Sequence, residues 1–343
     1  CIRIKHNRVS DKEVWLLRVV HVPTEIAGQM GILCHGLRQA GIETNGYNWF
    51  HSYLNYKEHV ISTDAYELKK MVDPLVQYCD VFHFHNGNTM LLKKVDLPLI
   101  VGSGRKAVMQ HWGNDVRTVS KERKINPYPI PPSYLSDQQI HRSLTFLSTY
   151  IADCIVQDYE LFPHVQDYYE KVHVLPLACD TKKFIPAYPD KQVKEPLIIH
   201  APTNRAFKGS DDIDKAIAGL KGKVPFQYLI IEKMKHAQAL QAYQAGDIII
   251  DQIRCGTYGM LSVEAMAMGK VVVAFIRDDV RRHLPEDLPI VNANRDTLAE
   301  KLETLIRNPE LRHQLGKKSR QFVEKYHRVD RVVQQLIQIY QQL

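Results

Sequence analysis

The sequence predicts an α/β protein built from two doubly wound domains, each a parallel sheet with helices on both faces. Three observations lead there. Short apolar runs alternate with helical stretches along nearly the whole chain, in the βαβα order that parallel sheets require. That rhythm breaks at 186–196, a polar segment with three prolines, and the break divides 343 residues into two units of ordinary domain size. An apolar share of 45% with 24% charged residues belongs to a globular chain and excludes disordered and fibrous classes.

Residues 1–12 read as a polar, basic tail, and 13–185 as the first domain. Val14–Val22 is strand-like and ends at Pro23; Thr24–Gly31 is a small-residue loop; Ile32–Ala40 is helical, with Gly41 as its stop. Such a loop lies at the carboxyl edge of a sheet, where ligands bind, but its spacing is not that of a nicotinamide fingerprint. A helix is expected over Asp64–Tyr78. In the strand that follows, His83 and His85 share one face, a pairing that raises metal binding. No downstream His and Asp set completes it, so no metal is assigned. The strand from Lys106 ends at His111, with Asp115 four residues on; a histidine at the mouth of a sheet can exchange a proton with a hydroxyl or a phosphate. Asn126–Ser133 is a proline-rich connection, and 151–157 and 172–184 close the domain.

In the second domain, 197–325, an opening strand leads to Arg205 and Lys208, a fork and a point charge suited to a diphosphate, before a helix capped by Ser210. Asp212 and Asp214 form a D-x-D, yet positions i and i+2 of a helix do not face each other, so no metal is assigned there either. Strand 226–231, helix 237–245 and strand 247–251 follow. The next stretch, Asp251 to Gly269, is a glycine-containing loop and a helix over Met260–Met268, ahead of the strand Lys270–Phe275. The helix start offers unpaired amides to an anion, and Glu264, one turn in, offers a carboxylate to a ligand hydroxyl. Segments 295–305, 309–326 and 331–343 are amphipathic.

Six cysteines stand far apart, suggesting neither a disulfide framework nor a zinc site but buried thiols in a reducing compartment. Of the formal charge of +7, the first 190 residues carry 21 Lys+Arg against 20 Asp+Glu, so about +6 falls on the remainder, which suits an anionic ligand or membrane surface. No apolar run approaches the ~18 residues of a membrane span, and the N-terminus lacks a signal-peptide core. A cytoplasmic protein is expected.

Residues 251–275 resemble the donor-binding signature of retaining GT-B glycosyltransferases of the family-4 type, the glycosyl transferases group 1. Tyr258-Gly259 matches the signature's turn, Glu264-Ala265-Met266-Ala267 its second half and Lys270–Phe275 its strand; the position of its first glutamate falls on Gly256. Lys208-Gly209 resembles the family's phosphate site, His85-Asn86 its first-domain strand end, and His111 to Asp115 its His-Gly-x-Asp motif with Trp112 inserted.

The resemblance implies two Rossmann-like domains facing a cleft, with a final helix at 326–343 crossing back onto the first. It implies catalytic roles for His111, Arg205 and Lys208, donor binding by Thr257, Tyr258, Gly259, Met260 and Glu264, and an acceptor side made by Gly28, Gln29, Met30, Gly31, His85, Asn86 and Asp115. The implied reaction moves a sugar from a nucleotide-diphosphate-sugar, a UDP-sugar, to a hydroxyl acceptor with retention of configuration and without metal or other cofactor. A carbohydrate or lipid-linked acceptor, cell-surface polysaccharide or glycoconjugate synthesis, and peripheral contact with the inner face of the membrane follow from the same resemblance; nucleic acid is not an expected partner. Two alternatives stand beside it: a non-catalytic GT-B partner subunit, and a nucleotide-sugar-modifying enzyme of this fold such as an epimerase.

Overall fold

The computed structural model describes residues 17–343; the tail and the first residues of the strand expected from Val14 lie outside them. The first domain runs β1 (Arg18–Val22), α1 (Gln29–Gln39), β2 (Glu43–Asn48), β3 (Ile61–Ser62), α2 (Ala65–Tyr78), β4 (Val81–His85), α3 (Leu97–Gly102), β5 (Lys106–His111), α4 (Val119–Ile125), α5 (Asp137–Tyr150), β6 (Asp153–Val156), α6 (Phe162–Val165) and β7 (Lys171–Val174). Its seven strands pair in the order β3-β2-β1-β4-β5-β6-β7, all parallel.

The second domain runs β8 (Leu197–His200), α7 (Arg205–Lys208), α8 (Ser210–Leu220), β9 (Gln227–Ile230), α9 (His236–Ala245), β10 (Ile248–Ile250), α10 (Met260–Ala267), β11 (Val271–Ala274), α11 (Asp278–Arg281), β12 (Val291–Asn292), α12 (Leu298–Arg307) and α13 (Pro309–Tyr326). Its sheet is also parallel, ordered β12-β11-β10-β8-β9. A last helix, α14 (Val329–Gln342), follows. Ser210 does not cap α8: Gly209, at φ +78°, ends α7 and precedes α8, while the Ser210 hydroxyl bonds His200.

Alternation splits each strand between two cores. On β4, Phe82 and Phe84 enter the core shared with α2 and α5, while Val81 faces the other side, where α1 and α14 lie. Val329, Val332, Val333, Leu336, Ile339 and Tyr340 form one stripe of α14 at helical spacing and are all buried in this first-domain core. Gly36 allows α14 to approach α1, since a Cβ there would meet Val333 Cγ2 at 2.6 Å.

Beneath α14 lies a polar chain whose direction can be read from one end. Trp112 is a donor only, so its Nε1–H, 3.3 Å from His85 Nδ1, leaves His85 to donate from Nε2 to His21 Nδ1 at 3.0 Å. His21 Nε2 then donates to the Tyr340 hydroxyl at 3.0 Å, which donates to His83 Nδ1 at 2.7 Å. A second proton on any of these histidines would set two donors face to face. Burial, with the neighbouring imidazoles in support, pushes His21 well down, and burial brings His83 down to about 3.

The chain crosses between domains twice, and the crossings lie side by side. Cys179 N donates to His327 O at 2.7 Å and Val329 N to Cys179 O at 3.0 Å, making a parallel bridge. Segment 186–196 is fastened to the second domain, with Ala187 N bonded to Met268 O and Arg312 reaching Val193 O. Replacing Tyr340 with Phe interrupts the polar chain at its middle and orphans His21 Nε2–H and His83 Nδ1. Urea unfolding of Tyr340→Phe should show a loss of about 2 kcal/mol or more; a loss under about 0.5 kcal/mol would mean that the hydroxyl is not needed there.

Candidate functional site

Both sheets point their carboxyl edges at the same cleft, and two helix N-termini meet across it. Gln29, first residue of α1, brings its Nε2 within 3.3 Å of Sδ of Met260, first residue of α10. Each helix start is a place for negative charge, and each already holds a carboxylate of the chain. Glu25 accepts from the amides of Met30 (3.2 Å) and Gly31 (2.8 Å); burial pushes its carboxyl up to about 7 against the pull of those amides. Asp251 accepts from the Gly259 amide (3.1 Å) and the Ser262 hydroxyl (2.6 Å) and takes Lys208 Nζ at 2.5 Å. Burial alone would raise Asp251, but Lys208, the Ser262 hydroxyl and the Gly259 amide together hold it below the usual range.

Lys208 is therefore fixed at the mouth of α10, with a second bond to Gln252 Oε1 at 2.8 Å. One turn along, Glu264 is nearly buried and takes His236 Nε2 at 2.6 Å. Tyr56 of the first domain packs against His236, ring centroids 4.6 Å apart and planes tilted by 44°, and the His236 amide donates to Leu54 O. The 49–60 connection thus reaches across to the second domain. Burial, and then Glu264, push the Tyr56 hydroxyl far up, so it stays protonated. Glu25 and Tyr56 line a small recess together with His51 and Lys57.

Lys208, Gly259, Met260 and Glu264 are brought together, with Gly28, Gln29, Met30 and Gly31 facing them on α1. Several other expected residues are engaged elsewhere. His111 is fully buried, its Nδ1 on Asp115 Oδ2 (2.6 Å) and its Nε2 taking the Tyr169 hydroxyl (2.8 Å), so neither nitrogen is free for a ligand. Asp115 is committed to that pair and to the amides of Trp112 and Gly113. His85 belongs to the polar chain under α14, and Asn86, at φ +60°, turns the backbone after β4.

On the second domain, Arg205 is held by Asp214 (2.5 Å) and Glu232 (3.0 Å), away from the Asp251 and Gln252 that hold Lys208. Thr257 is buried and donates to Asp158 of the first domain at 2.8 Å, tying the domains together, and the Tyr258 hydroxyl donates to His327 Nε2 at 3.1 Å, at the C-terminal end of α13. Gln29 is spent within the first domain, its amide making both bonds to the Ala178 backbone beside the crossing, 3.0 and 2.8 Å.

Among the described residues two groups have metal-ligand composition: His21, His83 and His85, and Glu122, Glu160 and His164. The third histidine lies upstream, on β1, rather than downstream. The His83 and His85 rings are stacked 5° from parallel, so their in-plane lone pairs do not converge. In the second group Glu160 is bound bidentately by Arg117 at 2.8 and 2.6 Å. Asp212 and Asp214 go to Arg254 and Arg205.

Glu25, Tyr56, His236 and Asp251 were not singled out as site residues by sequence. Asp251 had a signal, standing at the end of an apolar strand. Glu25 bonds amides five and six residues on, while Tyr56 and His236 are brought in by contacts distant in sequence.

With this geometry in view, comparison places the chain. Residues 205–338 match the family described as Glycosyl transferase-like. No curated protein matches in sequence. Among solved structures, the chain is similar to a sucrose-phosphate synthase from Thermosynechococcus elongatus, with 13% identity over 95% of this chain and 98% of that one and a TM-score of 0.66. A glycosyltransferase from Rickettsia africae has 14% identity over 96% and 99% of the two chains, with a TM-score of 0.66. Anabaena HepE in complex with UDP-glucose has 12% identity over 95% and 100%, also with a TM-score of 0.66. These likenesses define the fold as GT-B. The family match supplies the class: the chain is a glycosyltransferase of the GT-B fold.

The position of the missing glutamate has a steric cause. Gly256 sits at φ +93°, and a Cβ there would lie 2.4 Å from Arg277 Cγ. Gly256→Ala should cost about 2 kcal/mol or more in urea unfolding, and a near-neutral result would show that Arg277 yields.

The buried titrating groups set a second expectation. His21, His83, His85, His200 and His327 are all held low by burial, the last two at about 4, so their stability is complete above their unfolded pKa of about 6.5 and falls as pH drops below it. Glu25 at about 7 and Asp158 at about 6, both raised by burial, act oppositely. Five outweigh two, so stability should fall from neutral pH toward pH ~5 and fall more steeply in Glu25→Gln, by up to about 1.4 kcal/mol per pH unit. Unfolding midpoints across pH check both signs.

Proposed function

We propose that this glycosyltransferase moves a sugar from a nucleoside-diphosphate sugar, a UDP-sugar, to a hydroxyl of a carbohydrate or lipid-linked acceptor. We further propose retention of configuration and no metal. The observation that carries the reading is the meeting of the α1 and α10 N-termini with Lys208 between Asp251 and Gln252. In glycosyl transfer the leaving diphosphate gains negative charge as the anomeric carbon gains positive charge. Amides and an ammonium group fixed beforehand stabilise that charge selectively in the transition state. A donor diphosphate would draw Lys208 from Asp251 and compete with Glu25 for the α1 amides. Glu264 would take ribose hydroxyls, exchanging His236 for the ligand. Support for a uridine donor comes from Anabaena HepE, whose complexes hold UDP and UDP-glucose.

Metal independence is supported by the D-x-D carboxylates, which are both spent on arginines. Retention would have the acceptor attack on the face that the diphosphate leaves, the phosphate taking its proton. Five buried free cysteines support a cytoplasmic setting, and we place the work at the inner membrane face, in polysaccharide or glycoconjugate synthesis.

A second reading, a non-catalytic partner subunit, is favoured by one observation: both helix starts are already filled by the chain's own carboxylates. A thermal-shift series separates the two. A nucleoside diphosphate or its sugar at ~100 times its dissociation constant should stabilise by about 2.7 kcal/mol, unchanged by chelator. The shift should vanish in Lys208→Ala and Glu264→Ala. No shift with any nucleotide in a folded sample would favour the partner subunit.

A further inference from the structure

The connection between β4 and α3, with the first turn of α3, carries a surface that the transfer chemistry does not use. Leu92, Val95 and Leu99 are 73%, 60% and 45% exposed, an unusual concentration of bare aliphatic side chains within eight residues. Between them stand Lys93 and Lys94, both at positive φ, +58° and +59°. Two adjacent non-glycine residues in the left-handed region are unfavourable, so the backbone is held there by something else. The holder is Asp96. Its buried carboxylate accepts from the Thr89 hydroxyl at 2.6 Å and from the Met90 amide at 2.9 Å, closing the loop at its base. Neither lysine forms an ion pair among the described residues; Lys93 is exposed, and Lys94 is half-buried with the Asp96 charge near it.

We infer that this loop, Leu92 to Leu99, docks the protein on a bilayer containing anionic lipid. Such a bilayer offers negative headgroups above hydrocarbon, matching two lysines flanked by aliphatic tips. About +6 of the formal charge lies beyond residue 190, so on the first domain the attraction would have to come from these lysines themselves.

The loop's position fits. It leaves the carboxyl edge of a central strand, where Asn88 bonds Thr24 beside the α1 entry, and Leu92 is four residues further on, at most ~14 Å of chain. Docking there would bring the acceptor side of the cleft close to the headgroups. The inference deepens the lipid-linked acceptor reading proposed above and rests on it for its purpose, though not for its test.

The test is vesicle co-sedimentation of the full chain, without donor or acceptor, on phosphatidylcholine alone and on phosphatidylcholine with phosphatidylglycerol. Binding is expected on the anionic vesicles and should weaken at high salt. Leu92→Asp with Val95→Asp should lower it at least ~10-fold. Lys93→Gly with Lys94→Gly should lower it roughly tenfold as well, while the melting temperature holds or rises because glycine relieves the left-handed backbone. Lost binding with an intact or raised melting temperature excludes misfolding as the cause. Anionic vesicles that fail to bind the parent, or that bind both double variants as tightly as the parent, overturn the inference. Nucleotide thermal shifts on the same variants report the donor site separately, so failure of docking and failure of the transferase reading are distinguishable.

Discussion

The arrangement of the cleft depends on the paired crossing at Cys179 and Arg328. Two chain segments pass between the domains at one place, joined by backbone hydrogen bonds. Three side chains brace the joint: Gln29 on the Ala178 backbone, His327 on Leu177 O, and Tyr258 on His327. Gln29 and Tyr258 also flank the two facing helix starts. The residues that would hold a ligand and those that set the angle between domains are thus neighbours, or in the case of Gln29 the same residue.

The cleft is electrically balanced from within. A helix start, an ammonium group and a carboxylate occur together on the second domain, and a helix start with a carboxylate on the first. These carboxylates satisfy amides that would otherwise be orphaned in a buried place. They also make anion binding an exchange, in which the gain from a diphosphate is reduced by release of Asp251 from Lys208. Such a site discriminates by charge, since one with fewer negative oxygens than a diphosphate has less to offer in that exchange.

Much of the fold was legible because it rests on local pattern. The strand, loop and helix around 247–275 fall within a residue or two of their expected places, as do α2, α9 and α13, since periodicity and stop residues are written in consecutive positions. The site was legible where a backbone feature defines it: Lys208 at a helix turn, Gly259 and Met260 at a helix start. It was less so where a side chain's partner decides its role. Nothing near His111 reveals that Tyr169, 58 positions away, occupies its second nitrogen, or near Thr257 that Asp158 receives its hydroxyl. The proline-rich and aromatic connections carried the weakest signal, yet Leu54 and Tyr56 reach the second domain from one of them.

The crossing of α14 also bears on how the protein can be divided. The matched family segment ends at 338, inside a helix whose apolar stripe is buried by the other domain's sheet and by α1. A fragment cut to that family boundary would carry most of the stripe into water without its cover. A soluble second domain for binding work is better ended near His327, before the stripe begins, and the first domain is better supplied with α14 as a separate peptide.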